Sequence, residues 1–399
     1  MCRAGFTRPE FEETFGDPRE SLTTLFFHDH RPEFTSSNVY KGLVGMFRVF
    51  DKEQDTGEEG KGWNLPCGKY DVPLILADKQ FDPRTGLLTF NQLAVTGFLG
   101  DKFTVNGKIQ PFFTVERRKY RFRLLNGGPS RFYKLVVRSN GSNLPFTHIA
   151  ESGNLFHRPR KNQTSVELWV ADRSDIVLDF RKLKSGSRVY LANTLVMRES
   201  GRGIDRGDTA NPDRIENQLL EFRVEGGLVE DPSSIPAAFR PYPDTDLNEV
   251  VRTRVWEFER KNGMWAINGQ LWDPDIDHSP EFLANPPDKV RRNSAEIWKF
   301  RSTSGGWDHP MHIHFEEGQI ISTNGVPIPE AGRHRLDIYR LRQSKHEVFL
   351  RFRDFPQDGF TPSAGQVEQT KADHGRYVMH CHNTLHEDHA MMATFTVVP

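Results

Sequence analysis

The chain has 399 residues, with 53 Lys+Arg against 54 Asp+Glu and a formal charge of −1, a balance that argues against nucleic-acid binding and against a polybasic membrane-surface protein. Its length exceeds one compact domain and suits two or three. Three cysteines (Cys2, Cys67, Cys381) exclude a disulfide-dense scaffold, and no apolar run approaches the roughly 18 residues of a membrane span.

The N-terminal stretch contains Glu10, Glu12, Glu13, Asp17 and Glu20 and shows no apolar segment of the signal-peptide kind, which leaves localisation open. From there the dominant period is two. In Tyr120-Arg121-Phe122-Arg123-Leu124, apolar residues take one face and arginines the other. Segments 166–180 and 217–225 read as strands, as do the stretches around Trp256 and Phe258, Trp298 and Phe300, and Val348, Leu350 and Phe352. No sustained amphipathic helix is evident, and short strands punctuated by Gly, Pro and Asn predict β-sandwiches. The charged, Gly-rich stretch 51–64 reads as a connection, as do the polar stretches 199–215 and 230–250. These divide the chain into an N-terminal piece 1–56, a middle domain 57–228 and a last domain 240–399. A polar loop, 355–375, precedes the final strand pair.

Histidine placement carries the chemistry. His28-Asp29-His30 follows Leu25-Phe26-Phe27, and on a strand both imidazoles share a face. His309-Pro310-Met311-His312-Ile313-His314 holds three histidines in six residues; His312 and His314 share a face, and the proline after His309 keeps that residue extended and free to aim at a different site. In His380-Cys381-His382, the thiol points away from both imidazoles. His386 and Met391 follow at spacings that let them fold back toward the sulfur. Two histidines, one cysteine and a weak methionine make the trigonal site of blue copper, with His309 as the second imidazole. Met391, with Met392 beside it, also suits core filling. Histidine pairs suit zinc as well, but the Cys381/His386/Met391 spacing gains nothing from zinc.

These residues resemble the multicopper oxidases, in particular the laccase-like branch with spore-coat laccase, bilirubin oxidase and phenoxazinone synthase. The resemblance extends through Asn38-Val39-Tyr40-Lys41-Gly42-Leu43-Val44-Gly45, Tyr70-Asp71-Val72-Pro73-Leu74, Val105-Asn106-Gly107-Lys108 and Arg118-Lys119-Tyr120-Arg121-Phe122-Arg123. It implies an all-β fold of tandem cupredoxin-like Greek-key sandwiches, with 1–56 a remnant of a first one. It implies copper of three types. His309, Cys381, His386 and Met391 fall to type 1, His312 to type 2, and His28, His30, His314, His380 and His382 to the binuclear type 3 pair. Glu387 matches an acidic residue that supplies protons for oxygen reduction; a surface carboxylate is the alternative. The implied partners are O2 and a small reducing substrate: a phenol, an aminophenol, a bilirubin-like pigment or a metal ion. The non-enzymatic alternative is an electron-transfer remnant with type 1 copper alone. The family also uses an earlier His-x-His-Gly motif that this sequence lacks, and none of His148, His157, His278, His334, His346, His374 and His389 forms a His-x-His pair with another. Six of eight trinuclear ligands are therefore expected, in a chain that reads as truncated at its N-terminus.

Overall fold

The alternating segments become strands. The computed structural model describes residues 23–51, 53–198, 203–277, 288–291, 293–314, 316–352 and 376–398. The described residues divide into two units: those up to Pro241 with Asn383–Leu385 belong to the first, and those of Tyr242–His382 with His386–Pro399 to the second. The described residues on both sides of the 56/57 boundary fall in the first unit. No helix among the described residues is long and apolar enough to cross a membrane.

In the first unit two large sheets enclose one core. One sheet runs, in spatial order, Asn154–Gln163, Phe146–Glu151, Arg173–Asp179, Lys119–Asn126, Asp71–Phe81, Lys102–Val105 and Lys108–Ile109. The other runs Ser142–Asn143, Tyr133–Ser139, Arg188–Asn193, Gln218–Leu228 and Phe112–Arg117. Leu74, Leu76, Tyr120, Phe122 and Leu124 of the first meet Leu135, Val137, Leu191, Phe222 and Val224 of the second in a single buried cluster. Asp71–Phe81 pairs in parallel with Lys119–Asn126, and Gln218–Leu228 in parallel with Phe112–Arg117, so each sheet is mixed. Stretch 199–215, expected as a connection, contains a strand, Ile204–Thr209, which pairs antiparallel with Leu195–Met197. Its polar composition hides it because both strands form a short two-stranded sheet of their own.

In the second unit a sheet ordered Met264–Ile267, Val250–Lys261, Ser294–Ser302, Lys345–Phe352, Gly318–Thr323 and Val326–Pro327 faces one ordered Lys289–Arg291, Met392–Val398, Arg376–Cys381, Asp308–Ile313 and Ile338–Arg342. Aromatic contacts bridge them: Trp298 meets Phe395 with ring centroids 5.1 Å apart, and Phe300 meets Tyr339 at 5.3 Å. Helices are short, chiefly Thr35–Lys41, which ends at Gly42 in the left-handed region (φ 107), and Thr384–Asp388. The loop 355–375, His278, His374 and Cys2 lie outside the described residues.

The arginine face of Lys119–Asn126 does not meet solvent. Arg121 and Arg123 are fully buried. Arg121 donates to Asp175 at 2.6 and 3.0 Å and to Asp55 at 2.8 Å. Arg123 holds Asp71 through two bonds of 2.7 and 2.9 Å and donates to the Thr24 hydroxyl at 3.1 Å; Thr24 in turn donates to Asp175 at 2.7 Å. The strand is thus buried on both faces. Through Thr24 the network ties the hairpin of Thr24–His28 and Val44–Arg48 to the sandwich, and Asp55 comes from the Gly-rich connection. Burial opposes ionisation of Asp71, but Arg123 and Arg121 outweigh it and hold the carboxyl below the ordinary carboxylate range.

Removing one charge from such a network strands the others. Asp175→Asn is expected to cost about 3–5 kcal/mol in urea unfolding at neutral pH. Because the folded pKa of Asp71 is depressed, its contribution is complete above the unfolded value of about 4 and is lost as pH falls through the folded value. Urea midpoints measured from pH 6 to pH 3 should therefore fall less steeply in Asp71→Asn than in the parent chain. Parallel curves would show that Asp71 contributes nothing to acid lability.

Candidate metal centres

Strand parity sorts the ligands. Asp308–Ile313 pairs antiparallel with Arg376–Cys381, with Met311 opposite Cys381 and His312 opposite His380. Residues directly opposite share a face, as do residues two apart. His309, Met311 and Cys381 therefore take one face, and His312 and His380 the other. His309 and His312 are three residues apart, so alternation alone separates them and the proline is not needed for it. After Cys381 the chain continues into the Thr384–Asp388 helix, which carries His386. It then reverses at Ala390, whose φ of 78° is one normally taken by glycine. The reversal lets the Met391 N–H donate to the His386 carbonyl at 3.0 Å and the Cys381 N–H to the Met391 carbonyl at 3.1 Å. Met391 is fully buried beside both ligands.

The first centre is a triangle of ligand atoms. Cys381 Sγ lies 3.4 Å from His309 Nδ1 and 3.5 Å from His386 Nδ1, and the two nitrogens are 3.2 Å apart. A point at the centre of this triangle is about 2 Å from each atom, the bond length of a first-row metal to imidazole or thiolate. All three residues are at 0% exposure. Burial pushes the His309 imidazole down to about 3, which keeps it neutral and able to ligate. Two residues not singled out in the sequence complete the setting. The Ser304 hydroxyl is 2.7 Å from His309 Nε2 and fixes the ring with Nδ1 toward the triangle; Ser304 also bonds Ser302 at 2.8 Å. The Trp265 ring covers His386 at 4.0 Å between centroids, with Trp307 at 6.0 Å. Ser304 and Trp307 lie within five residues of His309, but serine and tryptophan carry no ligand signal of their own, and Trp265 is far from His386 in sequence.

Across the strand lies a second cluster. His314 Nε2 is 3.2 Å from His380 Nε2, and the rings of His312 and His382 lie 4.9–5.6 Å from their neighbours. Two of the outer nitrogens are held from behind: Glu387 Oε2 is 3.0 Å from His380 Nδ1, and the Asp337 carbonyl is 3.0 Å from His312 Nδ1. A carboxylate or carbonyl behind an imidazole fixes the nitrogen that faces a metal. Glu387 is buried, so it is not a surface carboxylate. His28 and His30 are on the first unit at the end of the Thr24–His28 strand, rings stacked at 5.3 Å, with His28 Nδ1 2.7 Å from the Asp29 carbonyl. Asp29 accepts from Asn38 at 2.9 Å. Other described histidines bond the fold: His148 and His157 bond backbone carbonyls, and His346 lies within hydrogen-bond reach of Thr323, Ser344 and the Arg340 carbonyl. Cys67 donates to the Gly57 carbonyl.

Residues 244–399 match the family model of the multicopper oxidases. The chain is 30% identical to a bilirubin oxidase of Albifimbria verrucaria over 98% of its own length and 63% of that protein's. It is 29% identical to a laccase of Bacillus subtilis over 97% of its own length and 73% of the laccase's. Among solved structures it resembles the 2F4 variant of the McoA multicopper oxidase from the hyperthermophile Aquifex aeolicus, at 25% identity and a TM-score of 0.79, covering 95% of this chain and 77% of that one. The chain thus spans less than two thirds of the length of the bilirubin oxidase it matches.

The Ser304 hydroxyl gives the triangle a direct test. Ser304→Ala frees the back of His309, and affinity for Cu(II) at the three-ligand centre should fall about 10–100-fold. Titration against a competing chelator, followed by thiolate-to-metal absorption, measures it. Unchanged affinity would make the hydroxyl incidental.

Proposed function

We propose that the chain is a multicopper oxidase, as its likeness to that family suggests, and that it couples one-electron oxidation of a small donor to reduction of O2 to water. Donors of this kind are phenols, aminophenols, pigments or a metal ion. The observation that supports this most is the strand His380-Cys381-His382. Its thiol enters one cluster while its imidazoles face another, so the two are joined by a single peptide unit on either side. That juxtaposition serves electron passage and has no use in a hydrolytic zinc site.

Copper held in these clusters would accept electrons singly from the donor and supply them four at a time to O2. His309, Cys381 and His386, with Met391 adjacent, are the proposed type 1 ligands. His312 is assigned to type 2, and His314, His380 and His382 to type 3, together with His28 and His30 on the sequence pattern. Cys381 contributes the thiolate and the covalent start of the route toward His380 and His382. Ser304 and Glu387 hold imidazoles in orientation. Glu387 is also the proposed proton carrier: its carboxylate sits 3.0 Å from His380 Nδ1, where a proton can be kept until oxygen reduction needs it.

A second reading has its own support, because the whole three-atom triangle lies within the second unit. Such a chain binds one copper and transfers electrons without turning over O2. Copper per chain separates the two readings: several ions with oxygen uptake on a phenolic donor, or one ion without it.

Cys381→Ser should abolish both the intense visible absorption and donor oxidation; a variant that stays coloured removes Cys381 from the site. Met391→Leu should keep the colour and raise the reduction potential, because loss of a weak donor disfavours copper(II). A lowered potential counts against an axial thioether. Glu387→Gln should slow reoxidation by O2 while anaerobic reduction by the donor proceeds nearly as before. Equal slowing of both half-reactions in stopped flow would leave Glu387 an orienting residue only.

A further inference from the structure

The roof over His386 ends in an exposed cation. Val250–Lys261 and Met264–Ile267 form a hairpin whose tip is Asn262-Gly263, with φ of 51° and 84°. A two-residue turn with both φ positive is the kind that matches strand twist and pins register. That register sets Arg260 directly opposite Trp265. Trp256 and Phe258 precede Arg260 at two-residue spacing and are buried, so Arg260 continues the inward face of its strand just as the strand reaches solvent. Its guanidinium carbon lies 5.1 Å from the Trp265 ring centre and 5.5 Å from that of Trp307. The two indoles meet each other at 5.0 Å, and Trp265 covers His386 at 4.0 Å.

Arg260 is also uncommitted electrostatically. Among the described residues its hydrogen-bond acceptor is the Gly263 carbonyl, at 3.2 Å, and no carboxylate pairs with it. Glu257 and Glu259 sit at alternate positions of the same strand, on the opposite face, and Glu257 is taken by Arg301. Lys261 donates to the Gly269 carbonyl. A guanidinium stacked on aromatic rings keeps its charge and the N–H groups at its edge while its faces are occupied.

We propose that Arg260, laid over Trp265 and Trp307 above His386, selects donors that carry a negative charge beside an aromatic ring. The inference rests on the reading of His309, Cys381 and His386 as the electron-accepting centre. The ring of the donor would lie near the indoles, and its carboxylate or sulfonate would meet the guanidinium edge. Arg260 acts on recognition, so no bond is made or broken by it.

The test compares a phenolic carboxylate, 4-hydroxy-3,5-dimethoxybenzoate, with its uncharged methyl ester at pH 6. In the copper-loaded chain, the ratio of kcat/KM for acid over ester should fall about tenfold in Arg260→Gln and further in Arg260→Glu, and should be largely kept in Arg260→Lys. Raising the salt from about 0.02 to 0.5 M should lower the same ratio in the parent chain. A ratio that does not change in Arg260→Glu overturns the proposal. A second readout needs no turnover: 4-methoxybenzoate, which lacks the phenol, should quench indole fluorescence saturably in the parent chain and not in Arg260→Glu. Equal quenching in both also overturns it. Saturable, Arg260-dependent quenching in a chain that oxidises no phenol would leave anion recognition standing and sink the oxidase reading instead.

Discussion

A β-strand cannot put adjacent side chains on the same side, and both clusters depend on that constraint. Because Cys381 and its two neighbours alternate, one backbone segment serves two ligand sets with a thiolate on one side and imidazoles on the other. The partner strand repeats the sorting with His309 and His312, and the pairing of Met311 with Cys381 brings like faces together. A shift of one residue in this register would exchange the two sides entirely. The Trp298–Phe395 and Phe300–Tyr339 contacts between sheets, and the wholly buried Met311 and Met379, therefore do more than fill a core: they hold the register.

The first unit solves a different problem by similar means. Its Lys119–Asn126 strand is covered on both faces, but one is covered with charge. Two buried arginines are tolerable only because Asp71, Asp175 and Asp55 surround them with short, directional bonds. Such a network rewards one arrangement of chain and penalises near misses. It therefore fixes where the Thr24–His28 strand sits, and with it the backbone that carries His28 and His30.

The legible part of this molecule was the part written at short range. Period-two alternation reveals the strands, and the ligands of the three-atom triangle are spaced so that Cys381 and His386 declare themselves together. The burial of the Arg121 and Arg123 face was not legible, because an arginine alternating with an aromatic looks the same whether solvent or an aspartate lies behind it. Asp71 and Asp175 come from strands far off in sequence. The Ile204–Thr209 strand was missed for a related reason: its composition is that of a loop, and only pairing with Leu195–Met197 makes it a strand. Trp265 belongs to the same class, since it acquires its role from a histidine on the short helix far along the chain.

The complete enclosure of His309, Cys381 and His386 separates how tightly an ion is held from how fast it arrives. None of the three side chains reaches solvent, and Trp265 lies over His386. Loading and release of an ion held there would have to pass through a transient opening, and their rates would be set by the free energy of that local excursion rather than by the strength of the bonds. His309 and Cys381 are carried on a paired sheet, and His386 on the short Thr384–Asp388 helix. Exchange of an ion held there would thus be a clock for local opening of the fold around it.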